Sequence, residues 1–569
     1  MRAAIQNIAN KKPHLVFFLA LSAFYLSFTP GTIKGMGYNL ENIVAADQIT
    51  TNLANLVMRR PLAPIIWTRH GFLELLFVLP FAIASRLLLG ASLDWIGVVM
   101  VIQPILFTSL SLVVMFLWIR RLTGSLARSY SLSLTAGVAT MLWPYAYIGL
   151  ETTQSFFVIL SAYLALATEK SLSLWSLMIF SFACGAAVSV KSNGIFLIPA
   201  IIYLICCYFS AGGAVRSRRL DGKAVENAED AEITGNAEHA EKAVSSQILF
   251  RVSSYFRVFR VLRIIMVVAI IATVYLVNHH YSSKYWERAY GGSSGYFFSL
   301  LADSPMRMAF QLLSYFGSVN KSLLLYAPVT ALGLFTLPRA YRVNPRIAVF
   351  AVLTLGGMAG GLSLTYMWAD ETWGPRYLHE AILPLTICFA SARTTAGKSG
   401  SEFRWRREAP LLVAAILGAV ISFLGSFFYY GSLHNAAIKV SQPALESLQH
   451  DPRLNHIEFN ARLLKIWVGN RLGAVDNPEY WPSHYNWWFR KPSDVTEEKS
   501  FDLRPLATPL PLVAKGWERS YSISLNQYRA LRSLLFCSLL FGLGLFVYLA
   551  LLSVRDSKAA EKLYEPLWT

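Results

Sequence analysis

Apolar runs of about 15–22 residues recur along almost the whole chain, separated by charged turns. That pattern leaves few folds open. In hydrocarbon, every backbone N–H and C=O must find its partner inside the chain, so runs of this length are read as helices crossing a bilayer. Composition agrees. Only 15% of the 569 residues are charged and 55% are hydrophobic, against about 25% charged in soluble domains. The sequence predicts an all-α polytopic membrane protein.

The first run, Leu15–Thr29, follows Lys11 and Lys12 and has no small-residue cleavage site after it, so it reads as a span with the N-terminus inside. The next apolar piece, Gly71–Leu89, is interrupted by Glu74, Pro80 and Arg86. Counting it as a span would place the cluster Arg120–Arg128 outside, against the positive-inside rule. It is therefore expected to be a membrane-parallel helix in the outer leaflet. The further expected spans are Trp95–Ile119, Tyr130–Leu150, Ser155–Thr168, Leu172–Val190, Gly194–Phe209, Ile264–Val277, Leu323–Leu337, Ile347–Tyr366, Ala381–Ala392, Leu411–Tyr429 and Leu534–Leu552. With the first run they make about twelve transmembrane helices. Arg339, Arg342, Arg346, the "RWRR" run at Arg404–Arg407, Arg555 and Lys558 then all fall inside.

The formal charge of +18 raises nucleic-acid binding as a function. The basic residues instead fall in short clusters between apolar runs, as cytoplasmic loops do, and no nucleic-acid partner is expected. The five cysteines lie inside apolar runs and form neither a disulfide framework nor a CxxC pair. Residues 1–429 are expected to form the transmembrane region, with an Ala/Glu-rich flexible cytoplasmic insert at 210–260. Residues 430–532, with "NPEYWPSHYNWWFRKP", are too polar to span and are expected to form a small outer C-terminal segment. Residues 533–569 supply the last transmembrane helix and an inside tail.

The expected outer side collects ionisable residues. The first loop carries Glu41, Asp47, Arg69 and His70. A short turn carries Glu151, another carries Lys191, and Arg288 follows the seventh span. The stretch Thr365–Arg393 brings Asp370, Glu371, Arg376, His379 and Glu380 together with Trp368, Trp373 and Tyr377. Charges beside hydrocarbon are costly, so they are expected to line a cavity and to pair with each other or with substrate; the bland alternative is exposed turns. Glu151 and Lys191 are each the only charge in a short turn between apolar runs. Carboxylates suit a general base, and Lys and Arg suit a phosphate, Arg through two parallel hydrogen bonds. The two tryptophans fit either interface anchors or surfaces for a sugar ring.

The layout resembles the GT-C class of membrane glycosyltransferases, of the protein-mannosyltransferase and aminoarabinose-transferase type. The segments that carry the likeness are "MGYNLENIVAADQITTNLANLVMRRPLAPIIWTRHGFLELLFVLPFAIASRLLLG", "WPYAYIGLETTQSFFVILSAYLAL", "ACGAAVSVKSNGIFLIPAIIYL", "YFGSVNKSLLLYAPVTALGL" and "MWADETWGPRYLHEAILP". They match the class's first outer loop with its parallel helix, its acidic turn, its lysine turn and two later segments of bacterial members. The class usually has an Asp-Glu pair in the first loop, where this chain reads Leu40-Glu41.

The resemblance implies transfer of a sugar from a polyprenyl-phosphate donor to a lipid, glycan or protein acceptor, by inverting displacement. The site would face outward from a bacterial inner membrane. Glu41 or Asp47 would be the general base, and Glu151 a further catalytic carboxylate. Arg69, His70, Lys191, Arg288, Asp370, Glu371, Arg376 and His379 would bind substrate, with Lys191 and Arg376 on the donor phosphate. No organic cofactor is implied; some members of the class use a divalent cation, but no tight ligand cluster is visible. The competing reading is a transporter or flippase of a lipid-linked or anionic substrate. Such proteins often show repeated halves and broken midplane helices, whereas here no internal repeat is visible and the charges crowd one side.

Overall fold

The structure, a computed structural model, describes residues 12–29, 39–61, 72–89, 102–147, 149–167, 173–210, 261–280, 282–283, 304–365, 373–394, 404–427, 455–471, 501–502, 518–519 and 525–564. Its helices are α1 (Pro13–Ser27), α2 (Asn39–Val57), α3 (Phe72–Leu89), α4 (Ile102–Thr123), α5 (Leu126–Val138), α6 (Gly149–Leu166) and α7 (Leu174–Ser189). They continue with α8 (Asn193–Ser210, opening in a 3-10 turn), α9 (Val261–His280), α10 (Pro305–Gly317), α11 (Pro328–Val343), α12 (Pro345–Ser363) and α13 (His379–Ala392). The last three are α14 (Arg404–Phe427), α15 (His456–Arg471) and α16 (Leu525–Tyr564). A two-residue antiparallel pair, Phe501–Asp502 with Glu518–Arg519, accompanies them. Among the described residues, six helices are long and apolar enough to cross a membrane: α4, α8, α9, α12, and segments Glu408–Ser426 of α14 and Arg532–Val554 of α16. The architecture is that of an all-α membrane protein.

Local chemistry sets where the helices start. Ser125, Ser173, Ser304 and Asn344 each accept a backbone N–H in the first turn of the following helix, the usual N-cap bond. Pro305, Pro328 and Pro345 stand at the first turns of α10, α11 and α12, where no N–H is needed.

Close helix approach relies on small residues and on side chains that reach a neighbouring backbone. The Tyr25 hydroxyl of α1 donates to Gly137 O of α5 at 2.9 Å, and Tyr130 of α5 donates to Phe546 O of α16 at 2.8 Å. Ser422 of α14 donates to Thr140 O at 2.8 Å. Gly333 of α11 lies directly against the Leu385 carbonyl of α13, leaving no room for a Cβ. Aromatic rings fill the space between: Phe24 and Phe28 lie 4.9 and 5.1 Å from Trp143, and Phe17 stacks on Phe116 at 5.3 Å.

Four expected spans change shape. Tyr130–Leu150 is not one helix: α5 ends at Val138, a short helical turn occupies Leu142–Tyr145, and α6 starts at Gly149. The Thr140 hydroxyl donates to Ala136 O and accepts from Leu142 N, which holds that break. Ser155–Thr168 is accordingly too short a reading, since α6 has 18 residues. Leu323–Leu337 is divided at Ala327–Pro328, because proline cannot donate to the preceding turn. The last span belongs to a 40-residue helix. The polar segment 430–532 contributes α15, which packs on α14. The insert's residues 211–260 lie outside the described residues.

Short connections make successive helices run in opposite directions. Glu151, Lys191 and Arg376 therefore come to one end of the bundle, and Arg120, Arg121, Arg342 and Arg393 to the other.

Candidate functional site

At the first of those ends, three side chains distant in sequence meet. Lys191 Nζ lies 2.6 Å from Glu151 Oε1, and Arg376 Nε lies 3.3 Å from the same oxygen. All three are buried, at 6%, 1% and 3% exposure. Glu151 stands in the first turn of α6 rather than in the connecting turn where the sequence reading put it, so the positive end of the helix dipole adds to the two cations. Lys191 follows the last turn of α7 in extended backbone, just before the 3-10 turn that opens α8. Arg376 begins a 3-10 turn that runs into α13.

Tyr377 ties the cations together. Its hydroxyl accepts from Arg376 Nη2 at 3.0 Å, and its ring lies 4.3 Å from Lys191 Nζ and 4.9 Å from Arg376 Cζ. Cations over an aromatic face are attracted by the ring quadrupole. His379, one turn further on, is fully buried. Its Nδ1 is 2.6 Å from the Ser155 hydroxyl of α6, and its ring meets Tyr145 edge-on at 5.9 Å.

Two more carboxylates surround this centre. Glu380 lies within electrostatic reach of Lys191 and Glu151. Glu74, near the start of α3, lies within reach of Glu151 and beside Gln103 and Thr153, which bond each other at 2.8 Å. Both are fully buried, and neither carboxylate has a well-formed hydrogen bond. Glu151 Oε2, His379 Nε2 and both amide atoms of Asn193 are likewise unpartnered. Buried polar atoms in folded proteins are normally satisfied, so such a concentration at one place calls for a chemical reason. The arrangement can do two things: hold two cations at fixed separation, and supply several acceptors to a ligand rich in hydroxyl or amine donors. Among the described residues, no three His, Cys, Asp or Glu side chains converge at metal-binding spacing.

The other expected site residues divide as follows. Glu41 and Asp47 both belong to α2, but their side chains lie outside the described ones. Arg69, His70, Arg288, Asp370, Glu371 and Trp368 also lie outside the described residues. Trp373 suits neither role expected of it. Only 1% exposed, it is packed against Gly425 of α14 and edge-on to Tyr326 at 5.3 Å. Glu74 and Glu380 were not among the expected site residues. In the sequence Glu74 stands out only as an interruption of an apolar run, although a charge in such a run is itself a signal. Glu380 stands next to His379 in the charged stretch.

The sequence matches no family model and no curated protein. In shape, the chain is similar to solved oligosaccharyltransferases of Archaeoglobus fulgidus. One is AglB in complex with an inhibitory peptide and a dolichol-phosphate, with 13% identity and a TM-score of 0.40 over 77% of this chain and 59% of that one. Another is tethered to an acceptor peptide containing the NVT sequon, with 14% identity and a TM-score of 0.42 over 78% of this chain and 59% of that one. A third, in the apo form, gives 14% identity and a TM-score of 0.39 over 77% and 60%. This chain thus spans about three fifths of the length of the structures it is similar to.

Proposed function

We propose that the protein is a membrane glycosyltransferase that moves a sugar from a polyprenyl-phosphate donor to an acceptor at the outer face of the membrane. The observation that carries this reading is the meeting of Lys191 and Arg376 on one carboxylate, beside one tyrosine, at one end of an apolar bundle. A transferred sugar leaves behind a phosphate whose charge grows in the transition state. Two cations held in place beforehand stabilise that charge without reorganising. Glu151 holds them at fixed positions until the donor arrives. The guanidinium of Arg376 offers the phosphate two parallel donors and Lys191 offers a point charge. In this reading α3 lies along the outer leaflet, and α2 beside it carries the general base.

The chemical step is a single displacement. Glu41, or Asp47, accepts the proton of the acceptor hydroxyl. The hydroxyl oxygen bonds to the anomeric carbon as the bond to the phosphate oxygen breaks, and the configuration inverts. Arg86 of α3 donates to the hydroxyls of Thr50 and Thr51 of α2 at 2.9 and 2.6 Å, which fixes the helix bearing both candidates. A general base typically contributes about 10²–10⁴-fold. Glu41→Gln is expected to lower turnover by that factor with donor binding unchanged; a silent Glu41→Gln beside an inactive Asp47→Asn moves the role to Asp47.

The direct test is transfer from a panel of radiolabelled polyprenyl-phosphate sugars by the full chain in bilayers, with analysis of lipid, glycan and protein products. Transfer from at least one donor is expected. Movement of a lipid-linked substrate between leaflets, with no donor consumed, would replace this reading by a flippase.

A further inference from the structure

The backbone turn that carries Arg376 is held by residues that the donor reading leaves without a role. Tyr145 donates to Trp373 O at 2.7 Å. Lys321 Nζ donates to Gly374 O at 3.3 Å. Gly374 sits at φ +60, in the left-handed region, and a Cβ there would stand 2.7 Å from the Tyr326 ring. Only glycine fits, and its carbonyl is thereby turned to Lys321. Lys321 is 1% exposed. A buried ammonium is costly unless its donors find partners, and the Gly374 carbonyl is one acceptor within its reach.

The same turn meets the polar segment beyond the spans. The Trp373 indole lies parallel to the His456 imidazole, 12° apart with centroids at 6.2 Å. His456 opens α15, and α15 is pinned at both flanks of the turn. Asn455 donates to Val319 O at 3.1 Å, two residues before Lys321, and caps α15 by accepting from Ile457 N at 2.6 Å. Asn460 donates to Leu424 O at 3.0 Å, next to the Gly425 that faces the indole.

We propose that Lys321, supported by the Trp373–His456 contact, is a positioning residue that fixes the Trp373–Arg376 turn and so aims the Arg376 guanidinium. Helix α15, in the polar segment 430–532, is then a working part of the site rather than a separate cap. The effect on turnover rests on the donor-phosphate reading; the effect on the turn does not.

The experiment uses the full chain in lipid nanodiscs and follows amide hydrogen exchange in 373–378, where Leu378 N bonds Pro375 O at 2.9 Å. Lys321→Met is expected to raise exchange there about tenfold while α13 stays protected, and Lys321→Arg to restore most of it. His456→Ala, which keeps Lys321, is expected to raise it about threefold and stands as the second variant should Lys321→Met fail to fold. With a donor that the wild type turns over, Lys321→Met is expected to lower kcat/KM about tenfold, with no further loss when Arg376→Lys is already present. Unchanged exchange in 373–378 for both variants overturns the proposal, as do losses in Lys321→Met and Arg376→Lys that multiply. If the wild type consumes no lipid-phosphate sugar, the donor reading falls and the exchange measurement alone decides the positioning role.

Discussion

Two ion pairs of equal length stand at opposite ends of the bundle. At one end Lys191 meets Glu151 at 2.6 Å, with side chains 7% and 1% exposed. At the other Arg393 meets Glu408 at 2.6 Å, with side chains 19% and 48% exposed, in a two-pronged arrangement completed by a 3.1 Å bond. The difference teaches that distance alone says little about what a pair does. The half-exposed pair gains little, because water already solvates both partners and salt screens them. The buried pair has paid for desolvation and is retained with a second cation, Arg376, on the same carboxylate. Packed apolar residues would stabilise such a place as well or better. A local cost of this kind is what the proposed role in holding the donor phosphate requires.

The largest effect is expected at the buried end. Glu151→Gln removes the carboxylate that two buried cations share, and breaking a buried pair costs about 3–5 kcal/mol. Unfolding in detergent would measure it, and a loss below about 1 kcal/mol would show that the two ends differ in exposure only. Next comes Arg376→Lys, which keeps the charge but loses the fork that reaches both Glu151 and Tyr377. Donor turnover should fall about tenfold, or ~1.4 kcal/mol in the barrier. Lys191→Met should be impaired as well, and the double variant should lose less than the sum of the singles in free energy, because both act on one partner. Full additivity would separate the two cations into independent sites. The smallest effect is expected at the exposed end: Arg393→Ala and Glu408→Ala should each change stability by no more than about 1 kcal/mol and should become indistinguishable from wild type at high salt.

Much of the helix pattern was legible because it is written locally. The expected Ile347–Tyr366 and Leu172–Val190 differ from α12 and α7 by a few residues at their ends. Breaks were harder. The kink between α5 and α6 depends on a Thr140 hydroxyl that bridges two turns, and hydropathy does not see a hydroxyl's direction. For the site, Lys191, Glu151, Arg376 and His379 stood out as isolated or clustered charges beside apolar runs, and the structure brings them to one place. What sequence could not supply was their mutual order. Trp373 looked like a ring offered to membrane or sugar, yet its neighbours Tyr326, Gly425 and His456 come from three separate segments that enclose it.

The sequence by itself determined the class of solvent this chain is built for, roughly where many of its long apolar helices lie and which few residues stand as charges among them. Each of these follows from the composition of a short stretch, since the cost of placing a residue in hydrocarbon is paid locally. Only the tertiary structure decided that Lys191 and Arg376 share the Glu151 carboxylate, that Glu74 and Glu380 close around them, and that Lys321 and α15 hold the turn from behind. An ion pair forms or fails within about an ångström, and residues far apart in the chain reach that precision only through the packing of every helix between them.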